Sequence, residues 1–139
     1  SQWRMSKDGS RWVFAAAEGN RPADLYAADA NFAKVDRLSE WNPQLKDKAL
    51  GKTELISYLD IDGKKQSGVV YYPPDFQTGR KYPTVFIVYE QFFDDPFNGT
   101  TSVLNANGYV VVQPSVEFET GYPGEAWMKA VTAAANKLI

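Results

Sequence analysis

Two short, almost wholly apolar segments restrict the fold of this chain more than any other feature. Residues 84–89 read TVFIVY, and residues 109–113 read YVVVQ. A strand that is apolar on both faces is typical of the centre of a parallel sheet, where helices cover both sides. Residues 100–107 are predicted to form a helix between them, with Gly108 at the position that commonly ends one. The spacing therefore predicts a right-handed, parallel strand–helix–strand unit.

The segments on either side of this unit extend an α/β arrangement. Residues 54–61 and 66–72 are predicted to pair as a hairpin around Asp62-Gly63, a dipeptide of tight turns. Residues 123–139 are predicted to be helical. The apolar positions that recur there at helical spacing are Trp127, Val131, Ala134 and Leu138. Two parallel strands alone leave an unpaired sheet edge, so we expect a truncated α/β sheet that pairs with another copy or a missing segment.

The beginning of the chain has a different pattern, one of short β-prone runs separated by polar turns. The β-prone runs are residues 11–15, 24–28 and 34–38. The turns are residues 6–10, 18–22 and 29–31. Three or four antiparallel strands of this length amount to one small sheet or one propeller blade, which rarely stands alone. Residues 39–51 are polar and are interpreted as a linker.

Composition excludes several classes of function. The chain has 139 residues with no cysteine and no histidine, so it can form no disulfide and cannot by itself run a histidine-based triad. Its net charge of -2 gives no electrostatic reason to bind nucleic acid or an anionic membrane. The apolar runs are too short to span a bilayer. No phosphate-binding glycine loop is present, and no cofactor or metal site is predicted.

Several segments, taken in order, resemble the prolyl oligopeptidase family of serine peptidases, which includes dipeptidyl and acylaminoacyl peptidases. The similar segments are LDIDGKK (59–65), GVVYYPPDF (68–76), KYPTV (81–85), GYVVVQP (108–114) and TGYPG (120–124). Asp24-Leu25-Tyr26, with Leu38-Ser39 and Asn42-Pro43, is similar to the end of the family's β-propeller. The resemblance implies an α/β fold, a partial α/β-hydrolase sheet preceded by short antiparallel propeller strands. Residues 1–48 would be the terminal propeller strands and linker, and residues 49–139 the N-terminal half of the hydrolase domain.

The resemblance also implies a function for the parent protein, the hydrolysis of peptides through an acyl-enzyme without a cofactor. In the family the nucleophile lies in a Gly-x-Ser-x-Gly turn after the strand that would follow Ile139, and the acid and histidine come later. The chain contains neither that turn nor a histidine. We therefore expect a fragment that is inactive by itself. The alternative is a non-catalytic protein-interaction module built on a hydrolase-like half-sheet.

Tyr89 is the candidate catalytic residue. The family has a tyrosine at the end of the corresponding strand, and its hydroxyl helps to hold the oxyanion. The resemblance implies this role for Tyr89, because a fixed O–H donor stabilises the charge that develops on a carbonyl oxygen. The alternative is a strand-end tyrosine that only packs against its neighbours.

Other side chains suggest weaker hypotheses. The loop carboxylates, which could serve a carbohydrate-active site or be solvated charge, are Glu90, Asp94, Asp95, Glu117, Glu119 and Glu125. The loop phenylalanines, which could line a pocket or pack locally, are Phe92, Phe93 and Phe97. The tryptophans, which could stack on carbohydrate or pack between strands, are Trp3, Trp12 and Trp41. Residues 29–31 lack the glycine and glutamate of a calcium loop, and Asn98-Gly99-Thr100 fits a glycosylation sequon.

Overall fold

The computed structural model describes residues 3–89, 97–118 and 120–139. These residues form two four-stranded sheets, two α-helices and one 3-10 turn at Pro43–Leu45. The first four strands are β1 (Trp3–Met5), β2 (Arg11–Glu18), β3 (Arg21–Asp29) and β4 (Val35–Arg37). The second four are β5 (Thr53–Leu59), β6 (Lys65–Tyr71), β7 (Thr84–Phe86) and β8 (Val110–Pro114). The helices are α1 (Gly99–Ala106) and α2 (Pro123–Leu138).

The first sheet is antiparallel throughout, with the strand order β1-β2-β3-β4. The predicted antiparallel strands are thus confirmed, with β1 added in front of them. The predicted loop at residues 18–22 was too long. Only Gly19 and Asn20 form the turn, and Arg21 already pairs with Glu18 at the start of β3. Gly19 has a φ of 44°, a left-handed conformation that favours glycine and allows so tight a turn.

A buried carboxylate fastens the linker to the first sheet. Asp24 on β3 is only 6% exposed. It accepts hydrogen bonds from the Trp41 backbone N–H at 2.9 Å, from the Ser39 hydroxyl at 2.8 Å and from the Arg37 guanidinium. The Trp41 N–H is the largest cause that lowers the pKa of Asp24, and it outweighs the opposing effect of burial. The ionised carboxylate therefore fixes where the linker leaves β4.

The second sheet is mixed, with the strand order β5-β6-β8-β7. β8 lies inside it, antiparallel to β6 and parallel to β7. Val110 and Val112 lie in one apolar cluster with Ala133 and Ala134 of α2. Val111 lies in another cluster, against which Leu104 of α1 packs. The two helices therefore cover opposite faces of β8, and its predicted burial on both sides is confirmed.

Two details of the second sheet differ from the sequence prediction. The hairpin loop has three residues, not two, because Asp60 N–H donates to Lys64 O and only Gly63 has a positive φ, 76°. The apolar run at residues 84–89 is paired with β8 only as far as Ile87, and β7 itself is half-exposed. β7 is not a central strand here, because among the described residues it pairs with β8 alone.

The apolar face of α2 also differs from the prediction. Its buried residues are Ala130, Ala133 and Ala134. Trp127 and Val131 are half-buried, and Leu138 is 37% exposed. Short side chains allow a helix to approach a sheet closely, so alanines occupy the centre of the contact and larger residues its margins. In the described part of the chain, neither helix has the length and apolar content of a membrane span.

The two sheets meet where the β2–β3 turn touches the start of β5. Asn20 is 8% exposed, and its amide donates a hydrogen bond to the Gly51 carbonyl oxygen. Gly51 in turn lies against the end of β6. A Cβ added at Gly51 would lie 1.7 Å from the carbonyl oxygen of Tyr72 and 2.8 Å from its carbonyl carbon. Backbone fills this space, so only glycine fits at the junction.

We expect Gly51→Ala to lower the free energy of unfolding by about 1–3 kcal/mol, the usual cost of overpacking, because backbone must move to admit the new methyl group. Chemical denaturation would measure the change. Gly124→Ala is the matched control, since a Cβ added at Gly124 would meet no atom within 4 Å and alanine favours helix α2. Equal stability of the two variants would show that the junction is not close-packed.

Candidate functional site

The carboxyl ends of β7 and β8 lie side by side. This end of the second sheet is its carboxyl edge, as distinct from the lateral edge of an outer strand, and it is where α/β proteins place ligands. Tyr89 follows β7 there, beyond Ile87, whose N–H still donates to the Val112 carbonyl at 2.9 Å. The Tyr89 side chain is 72% exposed. The residue predicted to hold an oxyanion thus presents its ring to solvent at the end of a parallel strand.

A cleft of about 310 Å³ lies at the same edge, beside the carboxyl end of β8. The β5–β6 hairpin, the segment after β8 and the first half of α2 surround it. Its lining residues are Asp60, Asp62, Lys64, Gln66, Ser115, Glu117, Phe118, Tyr122, Glu125, Ala126, Lys129 and Ala130. Polar chemistry from three separate segments therefore converges on one concave surface.

The base of the cleft is a chain of hydrogen bonds between side chains and backbone. Asp60 accepts from the N–H groups of Asp62 and Lys64, at 2.9 and 2.8 Å, and from the Gln66 amide at 3.0 Å. The Gln66 bond is the largest cause that lowers the pKa of Asp60. Gln66 accepts from the Ser115 hydroxyl at 2.9 Å, and Ser115 accepts from the Ser67 N–H at 3.2 Å. This base joins the hairpin to the end of β8.

The walls of the cleft are ion pairs. Lys64 contacts Glu117 at 2.9 Å across 53 residues of sequence. Lys129 on α2 contacts two carboxylates, Glu125 at 3.1 Å and Asp62 at 3.3 Å. The pKa of Lys64 is raised chiefly by its hydrogen bond to Glu117, and that of Lys129 chiefly by its bond to Glu125. These pairs are partly solvent-exposed, so they stabilise the fold little. Their main effect is to position the charged side chains of the cleft.

The predicted loop carboxylates have different outcomes. Glu117 and Glu125 do come together in the cleft, each beside a lysine. Neither has the apolar surroundings that a glycosidase acid needs, so nothing here favours that hypothesis. Glu119 and residues 90–96, with their carboxylates and with Phe92 and Phe93, lie outside the described residues. Among those residues that are described, no group of acidic side chains is arranged to hold a metal ion.

The predicted aromatic candidates lie away from this edge. Trp3 stacks on Phe14 at 4.6 Å between ring centroids, and Trp12 and Phe32 complete a ring cluster on the first sheet. Trp41 is exposed in the linker. Phe97 is half-buried. Asn98 caps α1, since its side-chain oxygen accepts from the N–H of Thr100 at 2.8 Å. The tryptophans thus include two that pack between strands.

Most residues of the cleft carried no sequence signal that could have identified them. Asp60, Asp62 and Lys64 are ordinary residues for a hairpin turn, and Lys129 is an ordinary helix-surface lysine. Their convergence depends on antiparallel pairing of β6 with β8, which places the hairpin beside residues that come about 50 positions later. The one available clue concerned Glu117, which follows the carboxyl end of the buried strand β8.

We expect Ser115→Ala to lower the free energy of unfolding by about 1–3 kcal/mol, because the buried Gln66 oxygen and the Ser67 N–H lose a partner. Ser102→Ala is the matched control. The Ser102 hydroxyl is buried without a hydrogen-bond partner among the described residues, so its removal should be neutral or stabilising. Thermal and chemical denaturation of both variants would measure the difference, and equal losses would contradict the assigned hydrogen bonds.

Comparisons with known proteins find similarity to peptidases, both in sequence and in structure. No family model matches the chain. It is 34% identical over 106 residues to a probable dipeptidyl-peptidase 5 of Aspergillus niger, an alignment that covers 70% of this chain and 14% of that protein. The chain therefore spans about one seventh of the curated relative's length.

Solved structures share the fold. An acylaminoacyl peptidase of Pyrococcus horikoshii superposes with a TM-score of 0.77 at 16% identity, over 99% of this chain and 24% of that one. A prolyl endopeptidase superposes with a TM-score of 0.68 at 18% identity, over 99% of this chain and 22% of that one. The sequence relative and these structural neighbours are named as peptidases, and together they match the prolyl oligopeptidase family that the order of motifs along the chain resembles.

Proposed function

We propose that this chain is the junction between the two domains of a serine peptidase. Residues 1–48 would be the terminal propeller strands and the linker, and residues 49–139 the N-terminal half of an α/β-hydrolase domain. The first sheet, antiparallel and four-stranded, has the form of a propeller blade. The second sheet has helices on both faces of a parallel strand pair, as in α/β enzymes. The proposed boundary, between residues 48 and 49, falls within the linker that joins the two sheets.

One observation carries the proposal, the continuity of the match across that boundary. A single superposition on the Pyrococcus horikoshii acylaminoacyl peptidase covers 99% of the chain, including both sheets. Two unrelated small sheets would not reproduce the arrangement of one peptidase from end to end. The relatives in sequence and in structure are named as peptidases, which supports peptide hydrolysis by the parent enzyme and a peptide as its substrate.

The proposed reaction proceeds through an acyl-enzyme. A serine oxygen attacks the peptide carbonyl, a histidine takes the serine proton, and the carbonyl oxygen becomes an oxyanion. The C–N bond then breaks as the histidine gives that proton to the departing amine, which leaves the acyl-enzyme, and water, activated by the same histidine, releases the acyl group as a carboxylic acid. The buried serines described above are unsuited to this role. Ser115 is committed to Gln66 and Ser67, the Ser102 hydroxyl is buried, and the sequence has no histidine to serve as base. The parent enzyme would supply its triad from outside these 139 residues, so the chain alone would be inactive.

Tyr89 would contribute to that reaction as an oxyanion donor. Its position at the carboxyl end of β7 supports the role, because developing charge at this edge needs donors that are fixed in advance. A phenolic hydroxyl just beyond the strand end is a donor of the required chemical kind. Its exposure leaves the hydroxyl free to face a substrate bound at the edge.

In the full-length enzyme we expect Tyr89→Phe to lower kcat by about 100-fold and to leave KM nearly unchanged, because the lost hydrogen bond forms only in the transition state. Steady-state hydrolysis of a chromogenic peptide would measure both constants. Tyr109→Phe is the matched control, because Tyr109 precedes β8 and so lies at the opposite edge of the sheet. An unchanged kcat would remove Tyr89 from the mechanism.

A second candidate function is interaction through the free edge of β7, which among the described residues pairs with β8 alone. An unpaired strand edge is a template for pairing with another chain. We expect the purified 139-residue chain to form dimers or larger species at high concentration. Size-exclusion chromatography with light scattering would measure the mass, and a monomer at every concentration would argue against this interaction.

A further inference from the structure

The cleft beside the carboxyl end of β8 has no part in the acyl transfer proposed above, yet charged and aromatic groups from three segments line it. We propose that this cleft binds a guanidinium group, such as the arginine side chain of a peptide. That the bound arginine belongs to a substrate rests on the proposed function. The existence of the site rests on the geometry of the cleft alone.

The charges in the cleft favour a cation. Four carboxylates line it, namely Asp60, Asp62, Glu117 and Glu125, against the two ammonium groups of Lys64 and Lys129. Both lysines are already paired, Lys64 with Glu117 and Lys129 with Glu125 and Asp62. Lys129 is shared between two carboxylates, so one negative charge at that wall has no cation of its own. A ligand cation would complete the pairing.

The hydrogen-bond network fixes the side chains at the base of the cleft before a ligand binds. Asp60 is held by three donors, and Gln66 and Ser115 are nine-tenths or more buried beneath the charged walls. Groups that are already fixed lose little conformational entropy on binding. The carboxylate oxygens of Asp62 and Glu125 remain partly exposed, with side chains 53% and 57% accessible. They are the acceptors available to a planar, bidentate donor.

Two aromatic rings line the cleft and favour guanidinium over ammonium. Phe118 is 38% exposed and is braced edge-to-face by Trp127 at 6.4 Å between centroids. Tyr122 is 72% exposed. The face of an aromatic ring attracts cations, and the flat guanidinium stacks on it better than a compact, strongly hydrated ammonium group. A volume of about 310 Å³ suits a single side chain rather than a large ligand.

Binding can be measured on the 139-residue chain itself, without catalysis. The probes are acetyl-arginine amide, acetyl-lysine amide and acetyl-citrulline amide, which is nearly isosteric with the first and uncharged. Calorimetry or NMR titration should give the tightest binding for the arginine probe, with citrulline weaker by about tenfold or more. Equal binding of arginine and citrulline would overturn the site, and equal binding of arginine and lysine would overturn the guanidinium assignment.

Variants locate the binding in this cleft. Glu125→Gln and Tyr122→Ala should each weaken arginine binding by several-fold to about tenfold. Both residues are exposed at the surface, so the variants are expected to fold, and a melting curve would verify it. Glu54→Gln is the matched control, since Glu54 also pairs with a lysine but lies at the opposite end of β5. Arginine binding that is unchanged in both cleft variants would overturn the proposal.

A second measurement separates this inference from the proposed function. In the full-length enzyme, peptides that contain arginine should have a higher kcat/KM than their citrulline counterparts. Arginine binding by the chain without any peptidase activity of the parent would support the cleft and contradict the proposed function. Peptidase activity in the parent, without saturable arginine binding by the chain, would contradict the cleft and leave the proposed function standing.

Discussion

The pairing of β8 with a neighbour on each side is the interaction on which the second sheet depends. Its valines lie between α1 and α2, and Val111 and Val112 are fully buried. Because both faces of β8 are buried, the side chains on each face contribute hydrophobic stabilisation. The same strand sets the geometry of the functional edge, because it pairs in parallel with β7 and antiparallel with β6. Removing it would separate Tyr89 from the cleft and, among the described residues, would leave α2 only its contact with β5 and α1 only its contact with β6.

The β5–β6 hairpin combines a structural task with a chemical one. Along its strands it completes the sheet, and Ile56 and Tyr58 add to the core beneath α2. At its tip it supplies Asp60, Asp62 and Lys64 to the cleft. The three-residue loop with Gly63 in the left-handed region turns the chain sharply enough to bring these side chains to the end of β8. A hairpin that is needed for folding therefore also delivers charge to the candidate site.

The first sheet is held together differently from the second. Its rings stack on one another across β1, β2 and the β3–β4 turn, and Trp3 and Phe32 remain partly exposed. Its carboxylate Asp24 anchors the linker, and its β2–β3 turn contacts Gly51. A sheet without a helix to cover it buries few apolar groups, so side-chain hydrogen bonds and the contact at Gly51 carry much of its attachment to the second sheet.

The sequence by itself determined the class of the fold, because local patterns specify local structure. The apolar run of β8, the Gly63 turn, Gly108 after α1 and the helical segment from Pro123 all appear where the pattern indicated them. The tertiary structure alone decided the rest. Whether an apolar run becomes a central or an edge strand depends on its neighbours, as β7 shows. In the cleft, Lys64 pairs with Glu117 and Asp62 pairs with Lys129. These contacts arise because strand pairing brings distant segments together, and no periodic pattern in the sequence indicates them.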